Sequence, residues 1–169
     1  MKKIIILVLV ISFVMCSTEE QQLLVELNIG SGDLSINGQT MKVPMTKDEY
    51  YRVLGKPDRV IDKSNVIHTW DKIGVWAYEK PKTGMISCLS LLLYDNPKRR
   101  LDFTPKSLFS GVLTFDGTRI GADTTPQSLG QLGLQQLMKG IYMRQGQDIT
   151  LTVDRVGSTK FVSASICLK

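Results

Sequence analysis

The sequence predicts an α+β fold of two tandem repeats, each made of a β-hairpin, a short helix and a three-stranded antiparallel meander. A Ser-Gly dipeptide, a short alternating strand and an Asn-Gly or Asp-Gly turn occur twice, at residues 31–38 and 110–117. Such turns favour hairpins because both turn residues take positive φ. Landmarks of the two segments share one offset of 79 residues: Gly32 and Gly111, Gly38 and Gly117, Thr46 and Thr125, Cys88 and Cys167.

Each hairpin is followed by a helix start. Thr46 and Glu49 have the spacing of a capping box, and Thr125 precedes Pro126, a residue favoured at the first helical position. The first helix is expected to end near Gly55. The second is expected to continue its apolar set, through Leu134, Leu137 and Met138, past Gly133. Short strands are then expected at residues 66–70, 74–79 and 86–93 in the first repeat, and 141–144, 148–154 and 161–168 in the second.

The first 16 residues have the pattern of a secretory signal. Lys2 and Lys3 precede an apolar run at residues 4–15, which is shorter than the ~20 residues that a membrane-spanning helix needs. The remaining boundaries follow from composition and the repeat: a polar N-terminal segment (17–27), repeat 1 (28–94), a connector (95–107) and repeat 2 (108–169). A periplasmic location is therefore predicted.

Cys16 directly follows the apolar run, and this arrangement resembles the lipobox of bacterial lipoproteins. The resemblance implies that Cys16 is acylated and becomes the new N-terminus, which would anchor the protein to a membrane. Phe13 and Met15 depart from the residues that a lipobox prefers. Ordinary cleavage after Cys16 is therefore the alternative.

Charge and composition exclude several classes of function. Without Lys2 and Lys3, 19 basic residues stand against 16 acidic ones, a net charge of +3 that does not favour a nucleic-acid partner. With one histidine and three cysteines, no metal site is expected. No phosphate-binding glycine loop or hydrolase motif is present, so we expect neither a cofactor nor enzymatic activity.

Cys88 and Cys167 occupy equivalent positions in the two repeats. Equivalent strands can lie near the axis that relates two copies, which would allow a disulfide in an oxidising compartment. The favoured interpretation, however, is that each cysteine is simply a small buried residue on the core side of its strand.

The helix and the strands that follow it carry a resemblance to a known family. Residues 46–57, Thr69-Trp70 and residues 75–78 (Val-Trp-Ala-Tyr) resemble the SmpA/OmlA unit of outer-membrane lipoproteins. Two such units in tandem resemble the architecture of the beta-lactamase inhibitory protein (BLIP-like), over roughly residues 28–169. The resemblance implies a layer of helices against a curved antiparallel sheet, whose open face grips another protein.

Four residues are candidates for that binding face. Alternation places Trp76 and Tyr78 on one face of their strand, and His68 and Trp70 on one face of the preceding strand. Trp and Tyr dominate binding hot spots, so all four are predicted to contact a partner protein. The alternative is that these side chains pack in the core.

The sequence therefore predicts an exported, protein-binding module of the envelope. The leading interpretation is an inhibitor or immunity protein that neutralises a toxin or enzyme in the periplasm by steric occlusion. The alternative is a structural outer-membrane lipoprotein that scaffolds an envelope assembly. The basic run at residues 98–100, with Lys106, is expected to be a solvated connector; contact with acidic lipid headgroups or an acidic partner is the other interpretation.

Overall fold

The structure is a computed structural model that describes residues 22–28, 31–41, 45–62, 64–97, 100–146, 149–156 and 160–168. The predicted signal, Cys16, and Lys98 and Arg99 of the connector lie outside the described residues. The strands are β1 (Leu24–Asn28), β2 (Asp33–Ile36), β3 (Gln39–Met41), β4 (Met45–Thr46), β5 (Arg59–Asp62), β6 (Val66–Trp70), β7 (Val75–Glu79), β8 (Met85–Leu92), β9 (Val112–Phe115), β10 (Thr118–Ile120), β11 (Gln135–Met138), β12 (Ile141–Gln145), β13 (Ile149–Val156) and β14 (Lys160–Leu168). The helices are α1 (Lys47–Leu54) and α2 (Pro126–Gln131).

The predicted α+β class with a helix-backed sheet is wrong: the described chain is mostly β and forms a sandwich-like fold of two sheets. The larger sheet has nine strands in the order β11-β12-β13-β14-β8-β7-β6-β5, with β4 paired to β8. The smaller has five, in the order β10-β9-β1-β2-β3. The physical reason is that the two helices bury too little apolar surface area to cover the larger sheet. Each helix has a single fully buried residue, Tyr50 in α1 and Leu129 in α2.

β1 joins the hairpins β2–β3 and β9–β10 into one five-stranded sheet, and this sheet packs on the larger one. β1 pairs antiparallel with β2 and parallel with β9, so it lies at the centre of the five strands. Its Val25 and Leu27 are buried between the sheets, while Glu26 is exposed. Most of this strand falls within the segment expected to be a polar N-terminal extension. Leu23, Val25 and Leu27 alternate with other residues as a strand requires, but the glutamates and glutamines at positions 19–22 give the segment a polar composition.

The larger sheet is continuous across the two repeats. Its centre is the antiparallel pair of β8 and β14, the last strand of each repeat. Three strands were expected in each half, and β5 and β11 add an edge strand to either side, while the short β4 pairs with β8 as a ninth strand. Leu137 and Met138, expected to extend the second helix, belong to β11, because α2 ends before Gly133, which has a φ of 74°.

The local signals that start each helix act as expected. The Thr46 hydroxyl accepts from the Glu49 backbone N–H at 3.3 Å, and the Glu49 carboxylate accepts from the Thr46 N–H at 2.8 Å. Thr125 accepts in the same way from the backbone of Ser128 at 3.1 Å. Each cap satisfies donors that a helix start leaves free. The main core lies between the sheets, and it combines β1, β2 and β9 with the inner face of β7, β8, β13 and β14.

Candidate functional site

The four predicted binding residues lie on opposite faces of the larger sheet. His68 and Trp70 face the inner side, with Val75 and Ala77. Trp76 and Tyr78 face the outer side, which points away from the five-stranded sheet. His68, Trp70 and Trp76 are 2%, 3% and 8% exposed, and Tyr78 is half-buried. The expectation that these side chains form one exposed binding face is therefore corrected.

His68 is the buried centre of a hydrogen-bonded row of three side chains, Tyr51, His68 and Glu79. Its Nδ1 lies 2.8 Å from the Tyr51 hydroxyl, and its Nε2 lies 2.8 Å from Oε2 of Glu79. An imidazole protonated at Nε2 satisfies both contacts, since it donates to the carboxylate and accepts from the phenol. Burial, with the nearby negative charges of Glu79 and Asp48, raises the pKa of Tyr51. A substrate has no access to an imidazole this deeply buried, so the row stabilises the sheet and is no candidate active site.

Trp70 has a structural role as well. Its indole N–H donates to the backbone oxygen of Gly55 at 2.9 Å, and its ring packs edge-on against Tyr51 at 6.3 Å. These contacts hold the end of α1 against β6. Trp70 thus joins the helix to the sheet and is not available to a partner.

The outer face is covered by the connector, which is held in place by Arg59 and Asp71. The Arg59 guanidinium forms two bonds of 2.8 Å to the Asp71 carboxylate. It also donates to the backbone oxygens of Asp102 and Thr104. The hydrogen bonds from Arg59, supported by the Lys106 backbone N–H, lower the pKa of Asp71. This paired arginine fastens one side of the connector to β5 and to the turn after β6.

Phe103 is the connector residue that packs on the outer face. Its ring centroid lies 6.4 Å from that of Trp76 and 5.9 Å from that of Tyr78. Thr69, which lies opposite Trp76, donates to the Phe103 backbone oxygen at 3.1 Å. Together with Leu92, these aromatics form a second apolar cluster, separate from the main core.

A groove of about 520 Å³ opens between the connector and the strands of the second half. Its apolar floor comes from Trp76, Tyr78 and Leu92 of the first half. One wall is the connector, with Asp95, Arg100, Leu101 and Phe103. The opposite wall is the outer face of β12 to β14, with Ile141, Thr152, Asp154, Val162, Ser163 and Ser165.

The rim of the groove is charged and its wall exposes apolar surface. Arg100 donates twice to the Asp95 carboxylate, at 2.9 Å each, and both side chains are solvent-accessible. Leu101 beside them is 59% exposed. An apolar centre surrounded by polar groups is the arrangement found in protein interfaces.

Trp76 leaves one polar group unsatisfied within the groove. Its indole Nε1 is buried and makes no hydrogen bond of acceptable geometry with the described residues. Burial raises the pKa of the neighbouring Tyr78 phenol, and the indole N–H lowers it by a smaller amount. The indole N–H therefore approaches the Tyr78 oxygen without forming a well-aligned hydrogen bond. A buried donor that is poorly paired is costly, so a well-placed acceptor atom from a bound partner would stabilise this site.

Cys88 and Cys167 form a disulfide on the same face. The two residues lie directly opposite each other in β8 and β14, with Cα atoms 4.0 Å apart. Two positions along the same strands, the hydroxyls of Ser90 and Ser165 lie 2.9 Å apart. The bond therefore links the two repeats covalently beside the floor of the groove.

The sequence interpretation missed the residues that make this site. Arg59 and Asp71 are 12 positions apart in the sequence, and no local pattern indicates that they pair. The connector was expected to be solvated, although Leu101 and Phe103 are apolar residues within it. The presence of Leu101 and Phe103 among charged residues is the sequence signal that could have indicated that the connector packs on a sheet.

Within the described ranges, no three His, Cys, Asp or Glu side chains are grouped in a way that could hold a metal ion. No helix of the described chain is long and apolar enough to cross a bilayer.

The fold and the groove define a class: a two-sheet β domain with an apolar groove on the outer face of its larger sheet. The chain belongs to the family described as Domain of unknown function (DUF7738), which matches residues 26–130. The matched segment contains the connector wall of the groove but ends before β12 to β14, which form the opposite wall. No curated protein and no solved structure matches the chain.

Proposed function

We propose that this chain is an exported protein-binding module of the bacterial envelope, an inhibitor or immunity protein that neutralises a toxin or enzyme by steric occlusion. The observation that carries the proposal is the groove: an apolar floor, an exposed leucine on its wall, a charged rim and a buried indole N–H that lacks a well-aligned acceptor. A partner segment that places an apolar side chain on Phe103 and a backbone oxygen near Trp76 would fit these features.

The Cys88–Cys167 bond supports the exported location. Disulfides persist in oxidising compartments such as the periplasm and are rare in the cytosol. The signal pattern of residues 1–16 points to the same compartment. The proposal includes acylation of Cys16, which would keep the domain at the membrane surface.

Occlusion needs more contact surface than the groove alone provides. A stable interface buries about 800 Å² on each partner. The groove would act as the central anchor, and the exposed connector around Leu101 and the outer face of β12 and β13 would supply the remainder. Hot-spot residues lie at such centres, and the surrounding contacts exclude water.

The test begins with a photo-crosslinking amino acid at Leu101 in cells, followed by identification of the attached protein. That protein is then purified, and its affinity and its own activity are measured with the wild type and with Thr152→Trp, which fills the groove. Thr118→Trp is the matched control, a strand threonine on the other sheet. We expect Thr152→Trp to lose at least about tenfold in affinity, equal to about 1.4 kcal/mol, and to lose inhibition in parallel.

The outcomes are distinct. Equal affinity of both tryptophan variants for the partner would refute the groove as the binding site. A groove-dependent partner whose activity the chain leaves unchanged would refute the inhibitor class. Circular dichroism of both variants checks that folding is unaffected.

A further inference from the structure

A second surface lies where the described chain begins. The Gln22 side chain donates to the Ser110 backbone oxygen at 2.8 Å, and the Leu23 oxygen accepts from Val112 at 2.8 Å. Beside them is a shallow cleft lined by Val53 and Leu54 at the end of α1, and by Lys72 and Ile73 of the β6–β7 turn. The entry point of the chain therefore lies among apolar and basic side chains.

The end of the connector borders the same surface. Lys106 donates its backbone N–H to Asp71 at 3.0 Å, and the Ser107 N–H donates to the Asp71 backbone oxygen at 3.1 Å. This brings Lys106 next to the turn that carries Lys72. Both lysines are exposed, and Leu108, two residues further on, is 44% exposed.

The acidic groups nearby leave this surface positive. Asp71 is only 7% exposed, and its two hydrogen bonds with Arg59 balance its charge. The Lys106 ammonium lies 3.9 Å from the same carboxylate, but its side chain is 75% exposed. Asp58 is exposed, and its carboxylate accepts from the Asp71 backbone N–H at 2.7 Å. Asp102 is also exposed, and its backbone oxygen is bonded to Arg59. Lys72, Lys106 and the exposed Lys56 outnumber these two aspartates by one.

The short segment between Cys16 and Gln22 limits how far this surface can lie from a membrane in which a lipid on Cys16 is inserted. Six residues lead from Cys16 to Gln22, which span at most about 22 Å when fully extended. A chain of this size has a radius of gyration of about 15 Å, so the tether is shorter than the domain is wide. Moreover, Gln22 leads directly into β1, the central strand of the smaller sheet, so the tether is fixed to the core of the domain.

We propose that this end of the domain, with Lys72, Lys106 and Leu108, rests on a membrane surface that contains acidic lipid headgroups. The inference depends on the lipid anchor of the proposed function and adds to it an orientation. Lysines near such a surface attract it, and a neighbouring apolar side chain enters the interfacial region. The turn between β7 and β8, at the other end of β7, would point away from the membrane.

The experiment supplies the anchor chemically. The chain beginning at Cys16 is coupled through that thiol to a maleimide lipid, which is selective because the other two cysteines are joined. Vesicles contain equal parts of phosphatidylcholine and phosphatidylglycerol, or phosphatidylcholine alone. Hydrogen exchange is measured at residues 71–74 and 104–110, and at residues 80–84 for comparison.

We expect protection of the first two segments on acidic vesicles and none at 80–84. Lys72→Gln/Lys106→Gln should abolish the protection, whereas Lys80→Gln/Lys82→Gln, which removes the same charge from the other end, should keep it. Without the anchor, the first double variant should bind acidic vesicles about thirtyfold more weakly than wild type, at about 1 kcal/mol per lysine.

Protection that is absent on acidic vesicles, or equal at residues 80–84, would overturn the proposal. So would equal losses in the two double variants. Because the anchor is attached in the test tube, these outcomes do not depend on whether cells acylate Cys16 or on what the groove binds.

Discussion

Loss of the Cys88–Cys167 disulfide is expected to lower the free energy of unfolding by about 4–5 kcal/mol. The two cysteines are 79 residues apart, so the bond closes a loop that spans almost one complete repeat. The chain-entropy relation for a loop of that length gives about 15 cal/mol/K, or about 4.5 kcal/mol at room temperature. The effect acts on the unfolded chain, which the bond keeps compact.

The perturbation is Cys88→Ala/Cys167→Ala, which removes both partners and leaves no free thiol in the pair. Urea unfolding followed by tryptophan fluorescence gives the free energy and its dependence on denaturant, the m-value. We expect the m-value to rise, because the unlinked chain exposes more surface when it unfolds. In calorimetry, a domain of about 150 residues has an unfolding entropy of about 0.3 kcal/mol/K, so Tm should fall by about 15 °C.

Ser90→Ala/Ser165→Ala is the matched control for this prediction. It removes a cross-strand side-chain contact from the same two strands without opening the loop. Its expected cost is about 1 kcal/mol with an unchanged m-value. If the cysteine variant loses no more than the serine variant, and its m-value is also unchanged, the loop-closure reasoning is refuted.

Three further predictions concern charge, backbone and export. The Arg59 guanidinium lowers the pKa of Asp71 below its ordinary 3.8, so the pair stabilises the fold above that pH and the benefit is lost as pH falls through the lowered pKa. Asp71→Asn should cost about 2 kcal/mol at neutral pH, and urea titrations should show the gap to wild type closing only below pH 3.8; a constant gap contradicts this. Gly74→Ala should cost about 3 kcal/mol or more in urea unfolding, because a Cβ would overlap the backbone of Leu108 and Phe109 and φ is positive. Gly38→Ala, with positive φ but open space, should cost only about 1 kcal/mol, and equal costs would show that the overlap is relieved. Finally, cells fed an alkyne-labelled fatty acid should label the wild type but not Cys16→Ser; labelling of neither would favour ordinary signal cleavage.

Local signals in the sequence were reliable where they depend on neighbouring residues. The Asn37-Gly38 turn takes φ values of 52° and 75°, and the matching Asp116-Gly117 turn takes 46° and 77°, as a tight hairpin requires. The capping box at Thr46 is present for the same reason: both partners lie within four residues. Strand positions after each helix were also close to the structure, since alternation is a property of the segment itself.

The errors came from contacts between distant segments. Nothing local to residues 24–28 indicates that the strand inserts between two hairpins 79 residues apart. The apolar set at Leu137 and Met138 fits a helix face as well as a strand, and pairing with β12 decides it. A short helix with one buried residue could not be distinguished by sequence from one that covers a sheet.

The aromatic residues of β7 show the difference between what local alternation predicts and what contacts between distant segments decide. Alternation correctly placed Trp76 and Tyr78 opposite Val75 and Ala77, because successive side chains of a strand point to opposite faces. It could not show that both faces of the sheet are covered. The five-stranded sheet covers one face and Phe103 of the connector covers the other, and both are brought there by distant segments.

The sequence by itself determined the hairpins, the helix starts and most strands, because each depends on residues close together in the chain. The tertiary structure decided the sandwich-like arrangement, the Cys88–Cys167 bond and the groove beneath the connector. These depend on long-range strand pairing and on one paired arginine, Arg59, that fixes a loop of another segment. Such contacts arise from burial of the whole apolar surface at once, which no local pattern encodes.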